Sequence, residues 1–155
     1  GVGKLPAATR ISIPAIELEA SLQELRVLDM GDYRQYETPK NVVGHIPKSA
    51  NAGEAGNIWL FGHLQSPVLG EGAIFRDLPQ IPKLLRAGQQ VYVVLESPVG
   101  HYLYEIYGSN VVHKDSLQLK DKDGPFLTLV TCVPPLVYSH RLLIMGKLLG
   151  FKSIT

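Results

Sequence analysis

Short apolar segments separated by turn residues are the feature that most constrains the fold of this chain. No segment of useful length repeats apolar residues with the 3.6-residue period of a helix. The two clearest strands, Gln89–Glu96 and His101–Asn110, are rich in valine and tyrosine, and the turn Ser97-Pro98-Val99-Gly100 joins them as in a hairpin. With weaker segments they make about seven or eight short strands, so we predict a mostly-β fold. A closed barrel is expected, because closure protects the edges of so many strands.

Local composition predicts the weaker segments. Strands are expected at Arg10–Leu18, which alternates with period two, at Asn41–Ile46, and at Asn57–Gly62, whose continuous apolar run is typical of a buried strand. Ser21–Leu28 fits either a strand or a short helix, and Ile74–Leu78 is expected to form one helical turn.

Three segments are expected outside the strands, because small, polar, glycine and proline residues dominate them: Gly1–Thr9 as a flexible lead-in arm, Leu64–Gly72 as a loop, and Val111–Pro125 as a polar connection. No repeat or linker divides the chain, so residues 1–155 are predicted to form one domain.

Composition excludes several classes of protein. Hydrophobic residues make up 45% of the 155 and charged residues 19%, as in an ordinary globular protein. The net charge of +1 comes without a basic stripe, which argues against nucleic acid as a partner. No apolar run reaches the roughly 18 residues of a membrane span. A single cysteine excludes an internal disulfide and a multi-cysteine zinc site, and the acidic residues are too dispersed to predict calcium, so no metal or cofactor is expected.

The stretch Phe126–Met145 contains the strongest candidate for a reactive site. Its first apolar run is rich in β-branched residues and ends on Cys132, the only cysteine, just before Pro134 and Pro135. Proline cannot donate to a strand ladder, so the strand is expected to stop there, and Arg141 opens a second apolar run. A thiol and a guanidinium would then lie at neighbouring strand ends.

Each candidate side chain also has an ordinary structural interpretation. Cys132 could be a small buried hydrophobe, and Arg141 could be a surface salt-bridge residue. As a nucleophile the thiol would need a basic or cationic neighbour, while the donor fork of Arg141 suits an oxyanion or a substrate carbonyl. Thr131, directly before the cysteine, offers a hydroxyl and an amide for hydrogen bonds.

His63 is the preferred partner among five histidines, because it also follows a buried run and precedes a loop. His101 and His113 are expected at the surface, and His45 fits a satisfied core or supporting position. His140 adjoins Arg141 and remains a rival that the strand pattern alone does not resolve.

These residues resemble the sortases, a family of cysteine transpeptidases. The resembling segments follow the family order along nearly the whole chain: Ile11-Ser12-Ile13-Pro14-Ala15-Ile16, Gly53-Glu54-Ala55-Gly56-Asn57, Phe61-Gly62-His63, Gly88-Gln89, Thr128-Leu129-Val130-Thr131-Cys132 and Arg141. The general pattern is similar to the class D and E enzymes. His63-Leu64, where such sortases often have His-Arg, and the extra His140 depart from it.

The resemblance implies an eight-stranded sortase barrel with one or two short helices. It also implies cleavage of an LPxTG-like C-terminal sorting signal by Cys132, with His63 as general acid and base, Arg141 as donor to the oxyanion, and Thr131 orienting the signal. The partners would be secreted proteins that carry the signal and an amine acceptor, either a cell-wall precursor or a pilin lysine. The location implied is the extracellular face of the membrane or the cell wall of a Gram-positive-type bacterium, with an N-terminal membrane anchor outside this chain.

Two alternatives stay open on sequence alone. A hydrolytic cysteine peptidase would share the nucleophile, and a non-enzymatic surface β-barrel for binding would leave Cys132 buried and inert.

Overall fold

The computed structural model describes residues 5–25, 27–29, 34–36, 41–64 and 73–154, and the predicted loop at Leu64–Gly72 lies almost wholly outside them. The strands are β1 Arg10–Ile13, β2 Leu18–Glu24, β3 Val27–Asp29, β4 Arg34–Tyr36, β5 Val43–His45, β6 Gly56–Phe61, β7 Tyr92–Ser97, β8 Gly100–His113, β9 Pro125–Val133 and β10 His140–Ser153. One α-helix, α1, spans Gln80–Arg86, and 3₁₀ turns occupy Pro14–Ile16 and Lys114–Ser116.

Eight strands close into a barrel in the order β1-β2-β5-β6-β9-β10-β8-β7. The β2–β5 and β6–β9 pairs are parallel and the other pairs are antiparallel, while β3 and β4 form a separate two-stranded sheet. The prediction of a mostly-β, closed eight-stranded barrel with few short helices is confirmed.

Side chains alternate across the barrel wall and form two apolar clusters. Inward-facing residues such as Ile58, Leu129 and Ile144 belong to the main core, in which most members are fully buried. Their neighbours along the same strands point outward into a second group, the outer cluster, consisting of Leu25, Ile46, Trp59, Val130 and Leu143. The outward face of β6, β9 and β10 is therefore apolar and partly covered.

Two local predictions were wrong. Ile74–Leu78 forms turns, and the helix lies after them at Gln80–Arg86. Pro82 is tolerated in that helix because it occupies the first turn, where the backbone N–H groups have no intrahelical acceptor.

The strand expected to end at Asn110 continues to His113, because its last residues pair with β10. Val111 and Val112, the first residues after Asn110, are β-branched and pair with Leu142 and Arg141, so the strand continues through them to His113.

The segment predicted as a flexible arm is anchored over its described part, residues 5–9. The Leu5 amide donates to Glu54 Oε2 at 2.8 Å, and Asn51 Nδ2 donates to the Leu5 carbonyl at 2.9 Å. The Thr9 amide donates to the Glu96 carbonyl at 2.7 Å. Residues 1–4 of the predicted arm lie outside the described residues.

Gly53 is expected to be the glycine least able to accept a side chain. Its φ is +84°, and a Cβ there would lie 2.2 Å from Tyr102 Cε1. Backbone strain and the ring clash together should make Gly53→Ala lower the free energy of unfolding by about 2–4 kcal/mol, measured by urea denaturation.

Substitutions at two other glycines distinguish the effect of backbone strain from that of the clash with the Tyr102 ring. Gly88 has φ +81° with no atom within 4 Å of a Cβ, so Gly88→Ala should lose only about 1 kcal/mol from strain. Gly150 has neither constraint, and Gly150→Ala should change stability by less than about 0.5 kcal/mol. Equal losses at Gly53 and Gly88 would show that the clash with Tyr102 relaxes at no cost.

Candidate active site

Three adjacent strands bring the predicted thiol, imidazole and guanidinium to one rim of the barrel. Strand β9 lies between β6 and β10, and Arg141 is the direct register partner of Cys132. On the other side Phe61 lies opposite Val130, and the Gly62 amide donates to the Val130 carbonyl at 3.1 Å. The ladder thus extends to the point at which His63 follows β6 beside Cys132.

Strand alternation directs the side chains of Cys132 and Arg141 to the same surface, and we expect its continuation past the end of β6 to bring His63 there as well. Val130 points into the outer cluster, so Cys132, two residues further along β9, faces the same way. Phe61 packs against that cluster two residues before His63, and Leu143 belongs to it two residues after Arg141. The candidate site therefore lies on the outer face of the barrel, at the end of the outer cluster.

Thr131 points to the opposite side and is 1% exposed. Its hydroxyl donates to the Gly62 carbonyl at 2.8 Å, which ties the end of β6 to β9 one residue before His63. The Phe75 amide donates to the His63 carbonyl at 2.8 Å, and Phe75 packs so close to Gly62 that a Cβ there would lie 2.6 Å from Cδ2. The backbone around His63 is therefore held from both sides.

Cys132 is half-buried, and burial dominates its electrostatics. Loss of solvation raises the pKa of the Cys132 thiol above its ordinary value, and the positive charge of Arg141 opposes this shift only in part. The resting site therefore holds mainly the neutral thiol at neutral pH, and formation of the nucleophile depends on nearby positive charge.

This balance predicts how the thiol reacts with iodoacetamide. The alkylation rate of folded protein should reach half its maximum at a higher pH than that of the urea-unfolded chain, in which the same single cysteine has its ordinary pKa. Arg141→Ala should move the folded-state midpoint of Cys132 further upward, because it removes the cation that favours the thiolate. A folded midpoint below the unfolded one would contradict the dominance of burial.

Arg141 is fixed by backbone carbonyls. Its Nη1 donates to the Tyr138 carbonyl at 2.8 Å and to the His140 carbonyl at 3.0 Å. Among the described residues no carboxylate forms a salt bridge with Arg141, so that part of the structure does not support the surface ion-pair interpretation. Sequence reasoning missed Tyr138, because a backbone carbonyl leaves no signature in a pattern of side chains.

The rival His140 is separated from the thiol by the strand geometry. It pairs with Val133 and not with Cys132, and alternation puts its side chain on the face opposite to that of Arg141. Its Nδ1 lies 2.8 Å from Ser139 Oγ, and its ring stacks edge-on with His113 at 5.3 Å.

The remaining histidines have structural surroundings. His45 is 5% exposed, with Nδ1 2.7 Å from Glu24 Oε1 and Nε2 2.9 Å from the Ala50 carbonyl, as expected for a satisfied core histidine. His101 and His113 have side chains that are 45% and 46% exposed.

Two of the sequence segments that resemble the sortases are joined by a buried hydrogen bond. Thr128 Oγ1 donates to Asn57 Oδ1 at 3.1 Å, linking β9 to β6 below the site. The Asn57 amide in turn donates to Asp121 Oδ1 at 2.7 Å, and Trp59 Nε1 donates to the Lys120 carbonyl at 2.9 Å. These bonds hold the connection before β9 across the outer face. Beside it lies an open groove of about 270 Å³, lined by Ile46, Lys48, Ser49, Asn57, Trp59, Leu119, Lys120 and Asp121.

A larger cleft of about 360 Å³ is lined by none of the three candidate residues; Glu17 and Asp77 are among its walls. Within the described part of the chain, no group of three or more His, Cys, Asp or Glu side chains is arranged to hold a metal ion. No helix among the same residues is long and apolar enough to cross a membrane.

Comparison with known proteins gives a consistent result. The chain is 30% identical over 147 residues to sortase A of Bacillus anthracis, covering 93% of this chain and 60% of that protein, so it spans less than two thirds of that relative. Its fold is similar to that of the sortase D5 transpeptidase of Clostridium perfringens, with 22% identity, a TM-score of 0.70, and 93% and 79% of the two chains covered. Sortase C1 of Streptococcus agalactiae is similar at 23% identity, with a TM-score of 0.71 and coverage of 97% and 71%.

The class letters of these relatives differ, so similarity does not select the class D or E assignment suggested by the sequence. The family model described as the sortase domain matches residues 11–149, which include Cys132, His63 and Arg141. Because this match covers most of the chain, the protein belongs to the sortase family.

Proposed function

We propose that this domain is a cysteine transpeptidase that cleaves an LPxTG-like C-terminal sorting signal and joins the protein to an amine. The observation that carries the proposal is the strand order of a sortase-family barrel, in which Arg141 on β10 pairs with Cys132 on β9 and His63 follows β6 on the other side of β9. No other cysteine exists in the chain to serve as nucleophile.

In the first half-reaction the Cys132 thiolate attacks the carbonyl carbon of the Thr-Gly bond. Arg141 donates hydrogen bonds to the oxygen on which negative charge develops, through donors other than the Nη1 atom held by backbone carbonyls. His63, as imidazolium, gives its proton to the leaving amine, so that the C–N bond breaks and a thioester remains on Sγ.

In the second half-reaction an incoming amine attacks the thioester. Neutral His63 accepts the proton of the amine, a new amide bond forms, and Sγ leaves as thiolate, which restores the starting charges. Because thiolate and imidazolium need opposite protonation states, and the pKa of Cys132 is raised, only a small fraction of the enzyme is correctly charged at once and kcat/KM should be bell-shaped in pH.

The apolar side chains of a sorting signal would lie along the outer face. Phe61 and Leu117 are partly exposed beside the outer cluster, and the groove next to Trp59 continues the same face away from Cys132. Thr131 would act on the signal indirectly, since its hydroxyl is engaged by the Gly62 carbonyl.

The partners and location are part of the same proposal. The family supports substrates that are secreted proteins with a sorting signal, an acceptor amine from a cell-wall precursor or a pilin lysine, and action at the outer face of the cell membrane or in the cell wall of a Gram-positive bacterium. The proposal also includes a membrane anchor N-terminal to this segment and membership of class D or E.

The deciding experiment is mass spectrometry of the protein after mixing with a small set of sorting peptides, with and without an added amine. We expect an acyl adduct on Cys132 that is lost when the amine is added, together with an amide product joining peptide and amine. A product unchanged by the amine would identify a hydrolytic peptidase. Absence of any adduct, with slow labelling of Cys132 by a small charged thiol reagent, would favour a binding module.

Arg141→Lys should lower kcat by about 10²-fold or more with little change in KM. A lysine keeps the charge but lacks the several N–H donors of the guanidinium. In Arg141, Nη1 is held by backbone carbonyls and the remaining donors are left for the oxyanion. The comparison is steady-state turnover of one peptide, with Arg10→Lys as the control because Arg10 lies on β1 beside Glu96. Near-normal turnover of Arg141→Lys would remove the proposed oxyanion role.

A further inference from the structure

The loop between β9 and β10 holds two non-glycine residues in the left-handed region. Leu136 has φ +68° and Tyr138 has φ +54°. Among the described residues only Glu17 and Asn41 share this property. A non-glycine residue in this conformation is strained, and such strain persists only where the surroundings impose it.

The strained backbone of Tyr138 makes two contacts that explain its conformation. Its amide donates back to the Pro134 carbonyl at 2.9 Å, which closes the loop. Its carbonyl accepts from Arg141 Nη1 at 2.8 Å. Because φ of Tyr138 sets the angle between its amide and the rest of its backbone, an extended Tyr138 would not keep both contacts.

We propose that Tyr138 is a positioning residue, whose left-handed backbone holds the Arg141 guanidinium over Cys132 through the carbonyl oxygen. The expected effect of Tyr138 on turnover rests on the proposed function, whereas its expected effect on the pKa of the Cys132 thiol does not. Leu136 has the same conformation in the same loop without a hydrogen bond to Arg141, so it serves as the matched control.

The test is a series of four substitutions, Tyr138→Gly, Tyr138→Asn, Tyr138→Ala and Tyr138→Val. All four variants lack the phenol, so its own interactions do not affect comparisons among them. They differ in how well they tolerate positive φ: glycine and asparagine tolerate it well, and β-branched valine tolerates it least. We expect kcat for peptide cleavage to fall in that order, with Tyr138→Val about tenfold or more below Tyr138→Gly and KM little changed. Leu136→Val and Leu136→Gly should differ by less than about threefold.

Two further measurements separate positioning of Arg141 from general damage to the loop. When Arg141 is also replaced by alanine, Tyr138→Gly and Tyr138→Val should have nearly equal kcat values, because the guanidinium that Tyr138 positions is absent from both proteins. In the otherwise unchanged protein, Tyr138→Val should shift the pH midpoint of Cys132 alkylation above that of Tyr138→Gly, since a displaced guanidinium no longer favours the thiolate.

The outcomes distinguish this inference from the proposed function. If the unsubstituted protein forms no thioester with sorting peptides, the proposed function fails, and the alkylation midpoints still decide the role of Tyr138. Equal midpoints for the glycine and valine variants would overturn the inference, as would a ratio in kcat that persists without Arg141.

Discussion

Cys132→Ala is expected to abolish the thioester and to lower the rate of peptide cleavage by about 10⁴-fold or more. The substitution removes the only sulfur nucleophile in the chain, and no hydroxyl or amine at position 132 replaces it. The fold should survive, because Cys132 is half-buried and the change deletes one atom, at a cost of about 1 kcal/mol. Intact-protein mass spectrometry and a cleavage assay on the same sorting peptide measure the two effects.

The control for this loss is Thr128→Val, which removes a hydroxyl from the same strand without changing the thiol. It should lower stability by about 1–3 kcal/mol, because Asn57 Oδ1 loses its buried donor, while the adduct on Cys132 still forms. Cleavage of sorting peptides by folded Cys132→Ala at a rate near that of the unsubstituted protein would show that another group is the nucleophile.

The sequence predicted where the strands beside the candidate site end, because strand ends are marked by composition. The prolines after Cys132 stop β9 at Val133, and the apolar run before His63 defines β6. Once the last residue of a strand is known, period-two alternation gives the face on which its side chain lies, which is the face of the residue two positions before it. The predicted neighbourhood of Cys132 and Arg141 is confirmed as a direct register pair.

The features that escaped sequence analysis depend on pairing and on the backbone. The anchoring of Leu5 comes from Glu54, far along the chain. The hydrogen bond from Thr131 to Gly62 joins residues 69 positions apart. Local patterns describe one segment at a time, so contacts between distant segments can be found only when the register is known.

The choice between His63 and His140 shows the same limit, and it leads to the second large expected effect. Both histidines adjoin predicted strand ends, and only the register separates them. His63 follows β6, the parallel neighbour of β9, and we expect continued alternation from Phe61 to turn its side chain to the face of Cys132. His140 lies opposite Val133, where alternation points it to the other face, toward Ser139 and His113.

His63→Ala should therefore lower kcat/KM for transpeptidation by about 10²–10⁴-fold, because no group remains to protonate the leaving amine and to accept the proton of the incoming one. His140→Ala should change kcat/KM by less than about threefold, since the ring contacts within the described part of the chain are with Ser139 and His113. Both variants are measured with the same peptide and amine over a range of pH. With His63→Ala the bell-shaped dependence should lose one limb, whereas His140→Ala should retain both limbs.

A loss at His140 as large as that at His63 would reverse this assignment. Urea denaturation of both variants separates such a result from unfolding, because a catalytic loss leaves the unfolding midpoint within the range of an ordinary surface substitution. The pH profile separates it again, because a residue that only supports the loop changes the height of the bell and not the number of its limbs. We therefore expect the general base of this barrel to be the imidazole that shares a face with Cys132, and these two alanine substitutions test that expectation directly.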